Sequence, residues 1–164
     1  FGGAVSGSGG LSKLAGGSLT LTSTNNTYTG TTTVTGSTLL AGAAYSFSPL
    51  STVSVTSTGS LNLNGFDNRV GQFSNNAGTV TLTSGNTLTI GTNNASANPG
   101  WPAMTGAGNI LRVGSGQHVL SGATSNMTGT LTVELVRQAT VPTTTTRLSL
   151  CHDVMARPMA WPSL

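Results

Sequence analysis

The sequence predicts an all-β chain wound as a parallel solenoid, with an antiparallel β-sandwich as the alternative. Three observations carry this. Short runs in which apolar residues alternate with hydroxyl or amide residues follow one another from Leu19 to Val133, the period of a half-buried strand. Glycines, often beside Asn or Ser, stand between these runs, where the backbone must turn. The stretch from Gly7 to Leu39 also recurs in degraded form 99 residues later without a gap, and self-similarity of this kind marks a stacked array. Strand spacing alone fits sandwich and solenoid equally; the repeat favours the solenoid.

Taken in order, the alternating runs are Leu19–Thr22, Thr33–Thr35, Val53–Thr56, Leu61–Asn64, Val70–Phe73, Val80–Thr83, Leu88–Ile90, Ile110–Val113, Val119–Leu120 and Leu131–Val133. Each has one apolar and one polar face. The expected inward residues are Leu19, Leu21, Val34, Leu39, Val53, Val55, Leu61, Leu63, Val80, Leu82, Leu88, Ile90, Leu120 and Val133. Coils of roughly 20 to 25 residues, stacked about 4.8 Å apart, would give about five or six turns. In the repeat, Gly7, Gly9, Leu21, Thr29, Gly30 and Val34 match Gly106, Gly108, Leu120, Thr128, Gly129 and Val133, and Leu11 and Lys13 are matched in kind by Ile110 and Arg112. No helical period or cap pattern occurs through Glu134.

The array is assigned to residues 1–135 and a non-repetitive tail to residues 136–164. All 23 glycines lie at or before Gly129, and alternation stops near Val136. The tail holds Arg137, Arg147 and Arg157, half of the six basic residues. It reads as a linker or as unrelated sequence such as read-through of a shifted frame, expected not to continue the solenoid. A single strand around Leu148-Ser-Leu150 is compatible with that reading.

Only 5% of the chain is charged, with a formal net charge of +3. Outside the tail, Lys13, Arg69 and Arg112 face Asp67 and Glu134, which is no basic patch, so nucleic acid is not an expected partner. Cys151, the single cysteine, excludes an internal disulfide. The absence of an initiator Met, a leader pattern and a bilayer-length apolar run reads as an internal segment that does not insert in a membrane.

The segment GSGGLSKLAGGSLTLTSTNNTYTGTTTVTGSTLLAG resembles the passenger-associated transport repeat of bacterial autotransporters. Its marks here are Leu11-Ser-Lys13, Leu19-Thr-Leu21, Asn26-Thr-Tyr28-Thr-Gly30 and Gly36-Ser-Thr-Leu39, and LNLNGFDNRVGQFS from Leu61 resembles the coil that follows such repeats. The second copy departs from the pattern at Asn109, His118 and Met127. The resemblance implies a right-handed, single-stranded parallel β-helix in a passenger domain. It implies that a C-terminal outer-membrane barrel of the parent protein carries this domain to the surface of a Gram-negative bacterium. The parent's expected role is adhesion to a surface glycan or protein receptor, and the repeat's own role is to promote secretion and folding. The expected partners of this segment are neighbouring coils.

No catalytic, cofactor-binding or metal-binding residue is expected. Paired-carboxylate chemistry needs two positioned groups, and the stock is Asp67, Glu134 and Asp153; Asp67 in Gly65-Phe-Asp-Asn fits a turn residue. His118, aligned with Leu19, fits a structural histidine, and Cys151-His152-Asp153 is too compact for a metal site. Gly-x-Gly pairs precede no helix and so fit turns rather than phosphate loops. Asn25, Asn94 and Asn126 head formal glycosylation sequons. Tyr28, Phe66, Phe73 and Trp101 fit covers on the ends of an apolar row better than a carbohydrate groove, and Asn98-Pro-Gly-Trp-Pro102 fits a loop leaving the coil. Two other functions are open: a flat ice- or glycan-binding threonine array, prompted by Thr31-Thr-Thr33, Thr81/Thr83 and Thr87/Thr89, and a polysaccharide-acting enzyme.

Overall fold

The computed structural model describes residues 1–56, 58–74, 77–96, 101–117 and 126–134, with the backbone alone at residues 75 and 147–150. The strands are β1 (Leu11–Leu14), β2 (Ser18–Leu21), β3 (Thr32–Thr35), β4 (Thr38–Ala41), β5 (Thr52–Thr56), β6 (Ser60–Asn62), β7 (Asn68–Val70), β8 (Gln72–Asn75), β9 (Thr79–Leu82) and β10 (Thr87–Ile90). There follow β11 (Ala103–Gly106), β12 (Asn109–Arg112), β13 (Asn126–Met127), β14 (Leu131–Glu134) and β15 (Arg147–Leu150).

These strands form three sheets, ordered β1-β3-β5-β8, β13-β11-β9-β6-β4-β2 and β15-β14-β12-β10-β7. We call them faces A, B and C. Along the chain the faces follow in the cyclic order A, B, C, with no strand on face C before β7 and, among the described residues, none on face A after β8, and every pairing up to Glu134 is parallel. This is a three-faced parallel β-helix. A sandwich, which would pair its strands antiparallel, is excluded.

The core follows from period-two alternation repeated in register. Leu19, Leu39, Leu61, Val80 and Met104 stand directly over one another on face B. Asn68, Leu88, Ile110 and Leu131 do so on face C. A slip of one residue would turn a whole row outward, and each fully buried Leu or Ile is worth about 1.5–3 kcal/mol, so the rows fix the register. Of the expected inward residues, Leu21, Val34, Leu39, Val53, Val55, Leu61, Leu63, Val80, Leu82, Leu88 and Ile90 are buried. Leu19 and Val133 are half-buried; β2 is the outermost strand of face B, and β14 is the last parallel strand of face C. Leu120 and the run Val119–Leu120 lie outside the described residues.

Sequence and structure differ at Val70–Phe73. One run was expected, but the chain turns at Gly71 and supplies β7 to face C and β8 to face A. A second difference is at the expected turns and connections, where β1, β4, β11 and β13 add strands.

Two backbone bonds of the 99-residue repeat recur at equivalent positions. Leu11 N–H donates to Thr31 C=O at 3.0 Å and Ile110 N–H to Thr130 C=O at 2.8 Å; Thr29 N–H donates to Gly7 C=O at 2.9 Å and Thr128 N–H to Gly106 C=O at 3.0 Å. Gly30 and Gly129 occupy equivalent tight crossings. A Cβ on Gly30 would lie 2.5 Å from Gly9 C, and one on Gly129 would lie 1.9 Å from Gly108 O. Yet the two copies sit on different faces: β1 and β3 belong to face A, whereas their counterparts β12 and β14 belong to face C. Successive coils are offset by 21 residues between Leu11 and Thr32. A spacing of 99 is therefore four coils and fifteen residues over, one face short of five.

Candidate functional site

Face C has strands only from β7 onward. Below it the chain is irregular, and side chains take the place of a ladder. Val5 N–H donates to Asn26 Oδ1 at 2.8 Å, 21 residues on, and Phe47 N–H donates to Asn68 Oδ1 at 3.0 Å, also 21 residues on. The same device continues upward. Thr87 N–H donates to Asp67 Oδ1 at 2.7 Å, Ser115 N–H to Asn94 Oδ1 at 3.1 Å, and Thr130 N–H to Asn109 Oδ1 at 3.0 Å. Backbone N–H groups without a ladder partner need acceptors, and at these corners, from the buried one at Phe47 to the exposed ones at Ser115 and Thr130, a side-chain oxygen from the adjacent coil supplies one. Asp67 therefore does bind backbone, but in the neighbouring coil rather than in its own turn.

The two carboxylates of the described array cannot work as a pair. Asp67 is level with Thr87, and Glu134 lies three strands above β7 and four residues further along. At ~4.8 Å per strand and ~3.3 Å per residue they are about 14 Å apart in the stacking direction and about 13 Å along the strands. Glycosidase pairs stand roughly 5 to 9.5 Å apart. Among the described residues no group of three His, Cys, Asp or Glu could hold a metal ion. His118, Cys151, His152 and Asp153 lie outside the described residues.

Nucleophilic hydroxyls occur, but as a buried polar seam. Tyr28 Oη and Thr32 Oγ1 are 2.8 Å apart, Thr32 Oγ1 and Ser51 Oγ 2.8 Å, and Ser51 donates to Gly30 C=O at 2.7 Å; Ser48 donates to Tyr28 C=O at 2.7 Å. Burial pushes the Tyr28 phenol above its usual range, partly opposed by hydrogen bonds to Thr32, Ser48 and Ser51. Among the described residues no imidazole or carboxylate is hydrogen-bonded to the seam to act as its base. Its physical effect is to tie two adjacent coils through groups that would otherwise be unpaired inside the core.

The basic residues divide sharply. Lys13 is level with Val34 in an inward row of face A, and Arg112 is level with Ile90 and Val133 in an inward row of face C. Both turn their charge onto the carbonyls of the following corner. Lys13 Nζ donates to Leu14, Ala15 and Gly16 C=O at 3.0, 3.2 and 2.6 Å. Arg112 donates to Gly114 C=O at 2.9 Å and to Gly116 C=O. Arg112 is only 7% exposed, and burial lowers its pKa. The sequence marked these two as equivalent, but not that their charge would be used to close a turn.

Arg69 differs. It is exposed on face C, and its guanidinium carbon lies 4.3 Å from the centroid of the Tyr45 ring, within cation–π range. Tyr45 is 42% exposed with φ at 57°, a strained setting for a bulky residue. Its N–H is held by Asp67 C=O at 2.8 Å. Phe66, adjacent to Asp67, is 36% exposed. Among the described residues, Tyr45, Phe66 and Arg69 are aromatic and cationic groups that this side of the array offers to solvent. Sequence reasoning missed Tyr45, and nothing local marks it, because Ala44-Tyr-Ser46 carries no turn signal.

The other expected aromatics are core: Tyr28, Phe73 and Trp101 are buried, and so is Pro102. The expected loop thus ends at a buried anchor, Trp101-Pro102; residues 97–100 lie outside the described residues. The threonine array does not form a flat ladder. Outward along face B stand Thr20, Leu40, Asn62, Thr81, Thr105 and Asn126, and along face C Arg69, Thr89, Leu111 and Thr132.

No family model and no solved structure matches the chain. Among curated proteins it is similar to the adhesin BmaC autotransporter of Brucella suis biovar 1 (strain 1330), 36% identical over 137 residues. That match covers 81% of this chain and 4% of the relative, so the chain spans a small part of the protein it matches. Stacked parallel coils, an internal repeat and this relative together identify the chain as a β-solenoid segment of the autotransporter-passenger family.

Proposed function

We propose that the segment is a structural, non-enzymatic, secretion-promoting part of a passenger displayed at or released from the surface of a Gram-negative bacterium, and that the parent protein is an adhesin. The observation that supports this most is the coil-to-coil bonding. Each coil presents a finished edge, with ladder groups and corner amide oxygens already placed for the next, so folding can propagate by nearest-neighbour addition as the chain emerges. Burial of one row at a time outside the membrane would oppose backward sliding. A C-terminal outer-membrane barrel in the parent is the partner this reading requires, and a surface glycan or protein is the receptor it implies. Within this segment the Tyr45–Phe66–Arg69 patch is the contact surface we favour.

The test places the segment in a passenger–barrel fusion and compares it with Leu61→Asp, which puts a charge in the middle of the face B row. We expect surface display to fall at least fivefold and periplasmic degradation products to accumulate. Equal display of a variant shown by circular dichroism to be unfolded would overturn the secretion role. Loss of receptor-cell binding in Arg69→Ala, with display unchanged, would support the contact surface, and unchanged binding would remove it.

A further inference from the structure

The corner between β6 and β7, which carries the chain from face B to face C, turns on Asn64-Gly65, and no other Asn in the sequence is followed by Gly. Both residues have positive φ, 50° at Asn64 and 85° at Gly65, which this pair adopts at little cost. Both are exposed. Gly65 N–H has no hydrogen-bond acceptor among the described residues, and a Cβ built on Gly65 would meet nothing nearer than Thr83 Oγ1 at 3.8 Å. The backbone nitrogen that follows Asn64 is therefore unspent and unshielded. The Asn64 side-chain amide is held by one contact, Nδ2–H to Ala41 C=O at 3.2 Å, and the net strength of such a bond slows its release by roughly two- to tenfold. Asn94 is the built-in comparison. It is exposed with φ at 57°, but the residue after it is Ala95, whose N–H donates to Asn93 Oδ1 at 3.2 Å.

We propose that Asn64-Gly65 is a self-modification site, at which the chain deamidates to aspartate and isoaspartate. Hydroxide takes the Gly65 N–H proton, the nitrogen bonds to Asn64 Cγ, and the Cγ–Nδ2 bond breaks, with Nδ2 taking a proton from water and leaving as ammonia. Water then opens the five-membered succinimide. Cleavage between Cγ and the Gly65 nitrogen gives aspartate; cleavage at the main-chain carbonyl carbon gives isoaspartate, whose backbone runs through the former side chain and is one methylene longer. Either product lacks the donor to Ala41 C=O and lowers the formal charge of +3 by one. The longer backbone also displaces Phe66 and Asp67. With them move the Asp67 C=O that accepts Tyr45 N–H at 2.8 Å and the Asp67 Oδ1 that accepts Thr87 N–H at 2.7 Å, the bonds that tie this corner to the coils before and after it.

The experiment incubates the full, folded chain at neutral and mildly alkaline pH and follows each Asn by peptide mass spectrometry, where conversion adds about 1 Da. Asn64 is expected to convert at least tenfold faster than Asn94 in the same molecule, faster at the higher pH, with isoaspartate as the larger product. Conversion at Asn64 no faster than at Asn94 would overturn the site, and a rate indifferent to pH would overturn the attack by the Gly65 nitrogen. Gly65→Ala, checked for folding by circular dichroism, should slow conversion at least fivefold; the comparison within the unaltered chain decides the proposal where that variant does not fold. The modified fraction, separated by ion exchange, should exchange its Tyr45 and Thr87 amide protons at least fivefold faster than the unmodified chain, and equal exchange would overturn the effect on the neighbouring coils.

Discussion

Asn68 offers the sharpest measure of how far side chains replace a missing strand. It is fully buried at the start of β7, accepts Phe47 N–H at 3.0 Å and Ser46 Oγ–H at 3.5 Å, and donates to Phe66 C=O at 3.4 Å. Phe47 is itself buried, in a segment that has no strand on face C. Asn68→Ala strands that N–H away from water, at about 1–3 kcal/mol, and leaves a void worth roughly 1 kcal/mol more. The expected loss is ~2–4 kcal/mol, a large part of the 5–15 kcal/mol that holds a typical domain. Asn109→Ala is the matched control, because its oxygen accepts Thr130 N–H at 3.0 Å and Thr130 Oγ1–H at 2.8 Å at an exposed corner; water can replace it, and the loss should stay under about 1 kcal/mol. Urea unfolding followed by circular dichroism compares the midpoints. Equal losses at the two positions, or less than ~1 kcal/mol at Asn68, would refute the argument. Asn68→Asp adds a pH test. Burial would raise the carboxyl's folded pKa above its unfolded value of about 3.9, so stability should be greatest below that value and fall as pH rises through the folded pKa.

Because burial raises the Tyr28 pKa above the ordinary phenol value of about 10, the unfolded chain loses that proton first. Tyr28 should therefore contribute stability that is full below about pH 10 and declines as pH rises toward its folded pKa. Tyr28→Phe should remove that share of the alkaline decline in a pH series of thermal melts, and at neutral pH should cost about 1 kcal/mol for the lost Thr32 bond. Arg112→Met, which removes a buried charge from two carbonyls, should destabilise by ~2–3 kcal/mol, whereas Lys13→Met, at exposed carbonyls, should cost under about 1 kcal/mol; similar urea midpoints for the two would contradict the difference in burial. Gly30→Ala and Gly129→Ala should each cost at least ~2 kcal/mol, read in the same assay, and a neutral result at either would mean that the crossing is looser than 2.5 Å or 1.9 Å implies.

The apolar rows were legible because a period of two, bounded by glycine, has one physical solution once strands stack in parallel. Leu39, Leu61 and Val80 could thus be placed inward before any coordinate. The three-faced winding was not legible, since Val70-Gly-Gln-Phe73 reads as one run and only the turn at Gly71 divides it. Nor was the burial of Arg112. A charged residue in an alternating pattern is normally assigned to solvent, and only the carbonyls of a corner two to four residues ahead make the inward position tolerable. Tyr45 and Arg69 come together across 24 positions of sequence, a distance that no local pattern spans. For the tail, the last described parallel pairing is that of β14, which ends at Glu134, and the reversed pairing of β15 with it depends on a match between distant segments that alternation alone does not reveal.

The mismatch between the 99-residue repeat and the coil governs how this rod meets its surroundings. Thr33 and its repeat partner Thr132 both sit in outward rows, but on faces A and C. Copying this unit moves each surface feature a third of a turn around the axis instead of lining it up along one side. Duplication therefore cannot build a flat lattice-matching strip; it distributes features around the circumference. A rod so decorated presents some copy of a given feature whichever way it rotates about its long axis, which suits capture of sparse, randomly oriented targets and works against binding any extended planar surface.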